Sequence, residues 1–217
     1  MKKLCVFDLD GTLVNSVYDI AAALNASLEE MNLPGWPLEE YYRMVGDGME
    51  MLCRRAIPGG TETQVQALVS LYKQRYQRDC CVLTRPYEGI PELMEKLRQQ
   101  GILTAVLSNK PHEQTLKVVA TLLPEADFFA VRGQSAEFPR KPDPAALHAL
   151  MELAGVQPQE TVYIGDSDVD MILGKNAGVE TVGVSWGFRG VQELNTAGAC
   201  AIAHTAEELE KLLLAEE

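Results

Sequence analysis

Residues Val6–Val14 read VFDLDGTLV. An apolar run, Leu4 to Phe7, meets two carboxylates in alternation, Asp8 and Asp10, and then a glycine, a threonine and two more apolar residues. A short apolar run ending in turn residues is the pattern of a buried strand. A period of two would put Asp8 and Asp10 on one side if the extended geometry held, and Gly11 gives the chain a place to turn. Alone, the two acids fit ordinary strand-end turn residues as well as a reactive pair.

Outward from this stretch the pattern alternates. Further strand-like runs are Leu103–Leu107, Phe128–Val131, Val162–Gly165 and Thr181–Val184. Helical patterns lie between them: Pro91–Gln100 closed by Gly101, Asp143–Ala154 closed by Gly155, and Asp168–Ala177 closed by Gly178. Proline near a start and glycine just past an end is the usual helix punctuation. The alternation predicts an α/β fold, a Rossmann-like parallel sheet covered on both faces. Residues 15–84 break the rhythm and show no convincing strand. Val17–Met31 is an amphipathic helix pattern with Ser16 at its start, and Thr61 with Gln64 forms a capping box. Gly46 and Gly48 read as a turn between two helices. The expectation is an all-helical cap domain over 15–84, inserted into an α/β core formed by 1–14 and 85–217, with linkers at Asn15–Ser16 and Leu83–Pro86.

The chain has 217 residues, 47% of them hydrophobic, enough for a sizeable core. Nineteen basic and 31 acidic residues give a formal charge of -12, which disfavours nucleic acid as a partner. No apolar run approaches a membrane span, and MKKLCVFDLD lacks the apolar stretch of a secretory signal. Five cysteines, without C-x-x-C or paired His spacing, read as reduced thiols of a cytoplasmic protein. A monomer and a homodimer are both open.

In a parallel sheet, ligand sites lie beyond the carboxyl ends of the strands. Asp8 ends the first strand, Ser108, Asn109 and Lys110 follow the second, and Asp166, Asp168 and Asp170 follow Gly165. RKPDP can bring Lys141 to the same edge. Clustered aspartates repel unless a cation or a proton sits among them, and oxygen-only ligands favour a hard ion such as Mg2+. A carboxylate neutralised in this way is a competent phosphoryl acceptor. Asp10 is then placed to move protons, Ser108 to hold phosphate oxygens, and Lys141 to offset charge.

Four segments in order, D-x-D-G-T at Asp8–Thr12, S-N at Ser108–Asn109, K-P at Lys141–Pro142 and G-D-S-x-x-D at Gly165–Asp170, resemble the motifs of the haloacid dehalogenase-like superfamily. The helical insert resembles the cap of the subgroup that holds phosphoglycolate phosphatases, pyrophosphatases and β-phosphoglucomutases. The resemblance implies a Mg2+-dependent phosphatase of a small phosphorylated metabolite, phosphoglycolate-like, working through an aspartyl-phosphate. A phosphosugar mutase and an inorganic pyrophosphatase are the alternatives. It implies Asp8 as nucleophile, Asp10 as general acid and base, and Lys141 as stabiliser of the transferred group. Ser108, Asn109, Gly11 and Thr12 would bind phosphate. Asp8, Asp10 (through its main-chain carbonyl) and Asp166 would hold the metal, with Asp170 either a further ligand or, the favoured reading, a support from behind. True dehalogenases and phosphonate hydrolases of the superfamily lack an acid where Asp10 stands, so C–halogen and C–P cleavage are disfavoured.

Other residues have plainer readings. Asp168 fits the N-cap of the following helix. His112, His148 and His204 are structural or surface residues, and Trp36, Tyr41, Tyr42 and Met44 pack the cap. The loop Gly46–Gly48 could close over substrate. Arg54 or Arg55 could meet a substrate carboxylate, with a surface role at least as well supported.

Overall fold

A computed structural model describes residues 2–215; residues 1, 216 and 217 of the expected core lie outside them. Six parallel strands form one sheet: β1 (Leu4–Phe7), β4 (Leu103–Pro111), β5 (Ala130–Gln134), β6 (Thr161–Gly165), β7 (Glu180–Val184) and β8 (Ala201–Ala203), in the order β5-β4-β1-β6-β7-β8. β1 is central and pairs with β4 on one side and β6 on the other, Phe7 lying opposite Val106 and Ile164. All four of its residues are buried, as a strand covered on both faces requires.

The period of two divides the core. Leu4 and Val6 face one way and pack with Leu147 and Leu150 of α7 (Ala145–Ala154) and Leu173 of α8 (Asp168–Ala177). Cys5 and Phe7 face the other way, into a cluster with Leu93 and Leu97 of α5 (Ile90–Gln99), Val118 of α6 (His112–Leu122) and Leu209 of α10 (Ala206–Leu214). Burying a side chain of this size contributes roughly 1.5–3 kcal/mol. α9 (Val191–Ala197) packs beside α8 and β7.

Five of the six strands were expected from the sequence. β8 is a three-residue AIA segment too short to carry a period, and α6, α9 and α10 were not singled out. β5 begins two residues later than Phe128, and β4 runs on through Ser108, Asn109 and Lys110 to Pro111 with a register irregularity after Leu107.

Between β1 and the rest of the sheet lie α1 (Val17–Glu30), α2 (Leu38–Met44), α3 (Met49–Ala56) and α4 (Glu62–Asp79). Thr61 opens α4 with the expected reciprocal bonds: Gln64 N–H donates to Thr61 Oγ1 (3.3 Å), and Thr61 N–H donates to Gln64 Oε1 (2.8 Å). Ser16 precedes α1, but its hydroxyl caps nothing and is buried without a hydrogen-bond partner. Asp168 is the first residue of α8 and not its cap; the capping position belongs to Ser167, whose N–H (3.1 Å) and hydroxyl (2.7 Å) both donate to Asp170 Oδ2.

The helical segment leaves and re-enters through a two-stranded antiparallel ribbon, β2 (Val14–Asn15) with β3 (Arg85–Pro86). Asp19 locks this junction. Its buried carboxylate accepts from Leu83 N–H (2.9 and 3.0 Å), Thr84 N–H (2.8 Å) and the Thr84 hydroxyl (2.7 Å). Removing the acceptor strands buried donors, which costs more than the bonds themselves add. Asp19→Ala is expected to lower unfolding free energy by about 2–4 kcal/mol. Urea titration would show this as a lower midpoint at unchanged slope, and an unmoved midpoint would contradict it.

Candidate active site

Because β1, β4 and β6 run parallel, their carboxyl ends meet at one edge. β1 delivers Asp8, whose N–H is fixed by Ile164 C=O (2.9 Å). β6 ends at Gly165 and delivers Asp166, and β4 delivers Ser108 and Asn109. Oxygens of Asp8, Asp166 and Asp170, all buried, lie within 4.8 Å of one another.

Lys141 is the counter-charge. Its side chain is 3% exposed, and its ammonium stands 2.7 Å from Asp170 Oδ1, 3.0 Å from Asp8 Oδ1 and 3.0 Å from the Tyr163 hydroxyl, which itself donates to Leu107 C=O (2.7 Å). Burial works against that ammonium, but Asp170 and Asp8 more than offset it and hold its pKa well above the ordinary lysine value. Asp170 is fully engaged: beyond Lys141 it accepts from Asp166 N–H (3.2 Å), Ser167 N–H and Ser167 Oγ. Asp8 is not. The Lys141 contact lacks hydrogen-bond alignment, so Asp8 Oδ1 is a buried oxygen with no donor. Beside Asp166, an oxygen of this kind fits a hard divalent cation that takes oxygen ligands.

Two close approaches shape the wall around Asp166. A Cβ on Gly11, whose φ is +88°, would fall 2.2 Å from Asp166 Oδ2, and one on Gly187 would fall 2.2 Å from Asp166 Cβ. Phe188 N–H then donates to Asp166 Oδ2 (2.7 Å). Thr12 is fully buried with its hydroxyl 3.4 Å from Asp166 Oδ1; neither Thr12 nor Gly11 lines the cleft.

Above the acids a cleft of about 50 Å³ is walled by Asp8, Asp10, Ser108 and Lys110 from the sheet edge and by Ile20, Leu52 and Tyr72 from the helical segment. The Gly46–Gly48 loop, between α2 and α3, sits against it. Asn109 brackets the two sides: its amide Nδ2 donates to Gly46 C=O (3.1 Å) and Lys141 C=O (3.3 Å), and its Oδ1 accepts from Lys141 N–H (2.9 Å). Arg189 clasps the C-terminal end of α2, donating to the carbonyls of Tyr42, Arg43 (3.2 Å) and Val45 (3.0 Å). Arg54 pairs with Glu50 and Glu62, and Arg55 with Asp47, so neither lines the cleft.

The model of the haloacid dehalogenase-like hydrolases matches residues 5–184. The chain belongs to this family. Phosphoglycolate phosphatase of Pseudomonas putida is 36% identical over 198 residues, covering 87% of this chain and 71% of that protein. Phosphoglycolate phosphatase of Haemophilus influenzae is 34% identical over 194 residues, covering 86% and 87%. A crystal structure from Lactobacillus delbrueckii subsp. bulgaricus superposes with a TM-score of 0.94 at 32% identity over 100% of both chains. This haloacid dehalogenase-like hydrolase is a phosphatase, a phosphoric monoester hydrolase. Among the described residues no helix is long and apolar enough to cross a membrane.

Sequence patterns named the acids and the lysine of this site but passed over several residues that hold it. Lys110 stood in LSNK without a role. Tyr163 is one apolar-looking position within a strand, and Gly187 and Arg189 sit in SWGFRG, which matches no chemistry-bearing pattern. The available signal was the repeated use of strand ends, which applies to Lys110 and to the loop after β7 alike.

Burial raises the Asp8 carboxyl to about 6, with Lys141 pulling it down and Asp170 pushing it up; burial likewise lifts Asp166 well above the usual carboxylate range. A raised acid holds its proton more tightly folded than unfolded, so its contribution to stability falls as pH rises, here between 3.8 and about 6. In chelator, Asp8→Asn should gain on the wild type across that window and hold a constant advantage above it. Thermal unfolding of both proteins from pH 4 to 8 checks this, and a pH-independent difference would refute it.

Proposed function

We propose that the chain is a Mg2+-dependent phosphatase of a small phosphorylated metabolite, phosphoglycolate-like, acting through an aspartyl-phosphate on Asp8. The observation that carries the reading is Asp8 itself: a buried carboxylate 3.0 Å from the Lys141 ammonium, on the wall of a cleft that also holds Asp10, Ser108 and Asp166. An Asp8 oxygen attacks phosphorus as the P–O bond to the alcohol breaks, and Asp10 gives the departing alkoxide its proton. Asp10 then takes a proton from water, whose oxygen attacks the phosphoryl group and releases phosphate and Asp8.

The Ser108 hydroxyl holds phosphate oxygens, and the Lys141 ammonium, 3.0 Å from Asp8, offsets charge as it accumulates. Asn109 spends its side chain on Lys141 and Gly46 and so sets their spacing. Asp8, the main-chain carbonyl of Asp10 and Asp166 would hold Mg2+, which supplies charge neutralisation for the incoming phosphate. Asp170 accepts from Lys141, Asp166 and Ser167 and so orients that set from behind.

Residues 15–84 serve as the cap domain that excludes bulk water over bound substrate. The names of its relatives favour phosphoglycolate among small phosphate esters. Five free cysteines suit a cytoplasmic setting.

Asp8→Asn should abolish phosphate release while the far-ultraviolet spectrum stays that of the wild type; near-normal turnover would sink the mechanism. Mg2+ should raise the wild-type melting temperature more at pH 7.5 than at pH 5, because a proton competes for Asp8 at the lower pH. A phosphate-release panel with phosphoglycolate, pyrophosphate and hexose phosphates fixes the substrate, and isomerisation without free phosphate would point to a mutase instead.

A further inference from the structure

Lys110 has no role in the chemistry described so far, yet it is among the most enclosed charges of the cleft. It lies near the end of β4, and its side chain is 2% exposed. Its ammonium stands 2.9 Å from Asp10 Oδ1 and 2.9 Å from Oδ2. A third bond goes to the Tyr76 hydroxyl on α4, and the same nitrogen sits 4.5 Å from the Tyr76 ring centroid. Three acceptors thus meet three N–H protons, so Lys110 is not a spare cation waiting for substrate. Tyr76 in turn stacks on Tyr72, with centroids 5.2 Å apart and planes at 14°. A tyrosine pair on the helical segment therefore fixes the far end of a contact whose near end is both oxygens of Asp10.

We propose that Lys110 is a positioning residue for Asp10, and that the Tyr76 hydroxyl ties this positioning to the seating of α4 on the core. The proposal rests on the acid–base role given to Asp10 above. Asp10 follows β1 and directly precedes the Gly11 turn, and its carboxylate forms no other side-chain hydrogen bond among the described residues. Proton transfer depends on reach and angle, and a displacement of about 1 Å can cost 10²-fold. The bidentate grip removes the rotation that would let Asp10 turn away from the leaving oxygen. The Tyr76 bond makes that grip complete only with α4 in place.

The test uses leaving groups. An alkyl phosphate needs a proton on its departing oxygen, whereas p-nitrophenolate departs without one. The value of kcat/KM reports every step through formation of the aspartyl-phosphate and leaves out its hydrolysis, so the contrast between the two esters isolates the acid step. The full-length protein with Mg2+ would be assayed on p-nitrophenyl phosphate and on the alkyl phosphate turned over fastest in the metabolite panel. Lys110→Met should lower kcat/KM for the alkyl ester by roughly 10²-fold, as loss of a proton-transfer geometry does, and for the aryl ester by less than about threefold. Tyr76→Phe, which keeps the ring and its stack, should show the same asymmetry at a smaller size. It decides the matter if Lys110→Met does not fold.

Equal losses on both esters, or no loss on either, would overturn the proposal and make Lys110 a structural ion pair. Asp10→Asn is run alongside. If it discriminates between the esters and the Lys110 and Tyr76 variants do not, the positioning role alone fails. If Asp10→Asn does not discriminate, the acid role of Asp10 fails and the positioning role falls with it.

Discussion

The burial of excess negative charge at the sheet edge is the constraint around which this molecule is arranged. Asp8, Asp166 and Asp170 share one buried corner with the ammonium of Lys141. Buried charges are tolerated only when paired and hydrogen-bonded. The structure meets that demand unevenly. Asp170 receives four donors and Asp166 receives Phe188 N–H, but Asp8 keeps one oxygen without a donor. The supply of donors is thus uneven across the three carboxylates, with Asp170 the most fully engaged. The glycines at 11 and 187 follow from the same constraint, since a side chain at either would occupy the space of Asp166.

A second organising relation runs across the cleft. The sheet edge touches the helical segment through Asn109 to Gly46, Arg189 to the end of α2, Arg140 to the Asp47 carbonyl (3.2 Å) and Lys110 to Tyr76. Each contact joins a group beside the acids to the main chain or a hydroxyl of the segment above. The cleft is therefore closed by polar contacts at its rim, while Ile20, Leu52 and Tyr72 supply its apolar upper wall. Of these contacts the one between Lys110 and Tyr76 is buried, while Arg140 reaches the Asp47 carbonyl at the exposed margin, where a bond can exchange with water at modest cost.

Much of this was legible in the sequence, and the reasons differ by element. β1, β4, β6 and β7 announce themselves because each carries a short, mainly apolar run where it is buried on both faces. β8 does not, because three residues at a sheet margin carry no period. Asp8, Lys141 and Asp166 were legible because their residue types recur in a fixed order along the chain. Lys110 and Arg189 were given no role, because their partners, Asp10 and Tyr76 for the first and three main-chain carbonyls for the second, are far away along the chain. Asp168 was misread as a helix cap because aspartate is a common capping residue. Its neighbour Ser167 holds that place instead, since Asp170 reaches back to it.

The ribbon of Val14–Asn15 and Arg85–Pro86 has a consequence for the chain as a polymer. Seen from the sheet, everything from Ser16 to Thr84 is one very long hairpin turn. The entropy lost in closing a loop grows only with the logarithm of its length, so a turn this long weighs little more on the sheet than a turn of a dozen residues. The connection also enters and leaves at neighbouring points, so the strand order of the sheet is indifferent to what the turn contains. The part of the molecule that forms the upper wall of the cleft is thus the part whose content the sheet's topology constrains least.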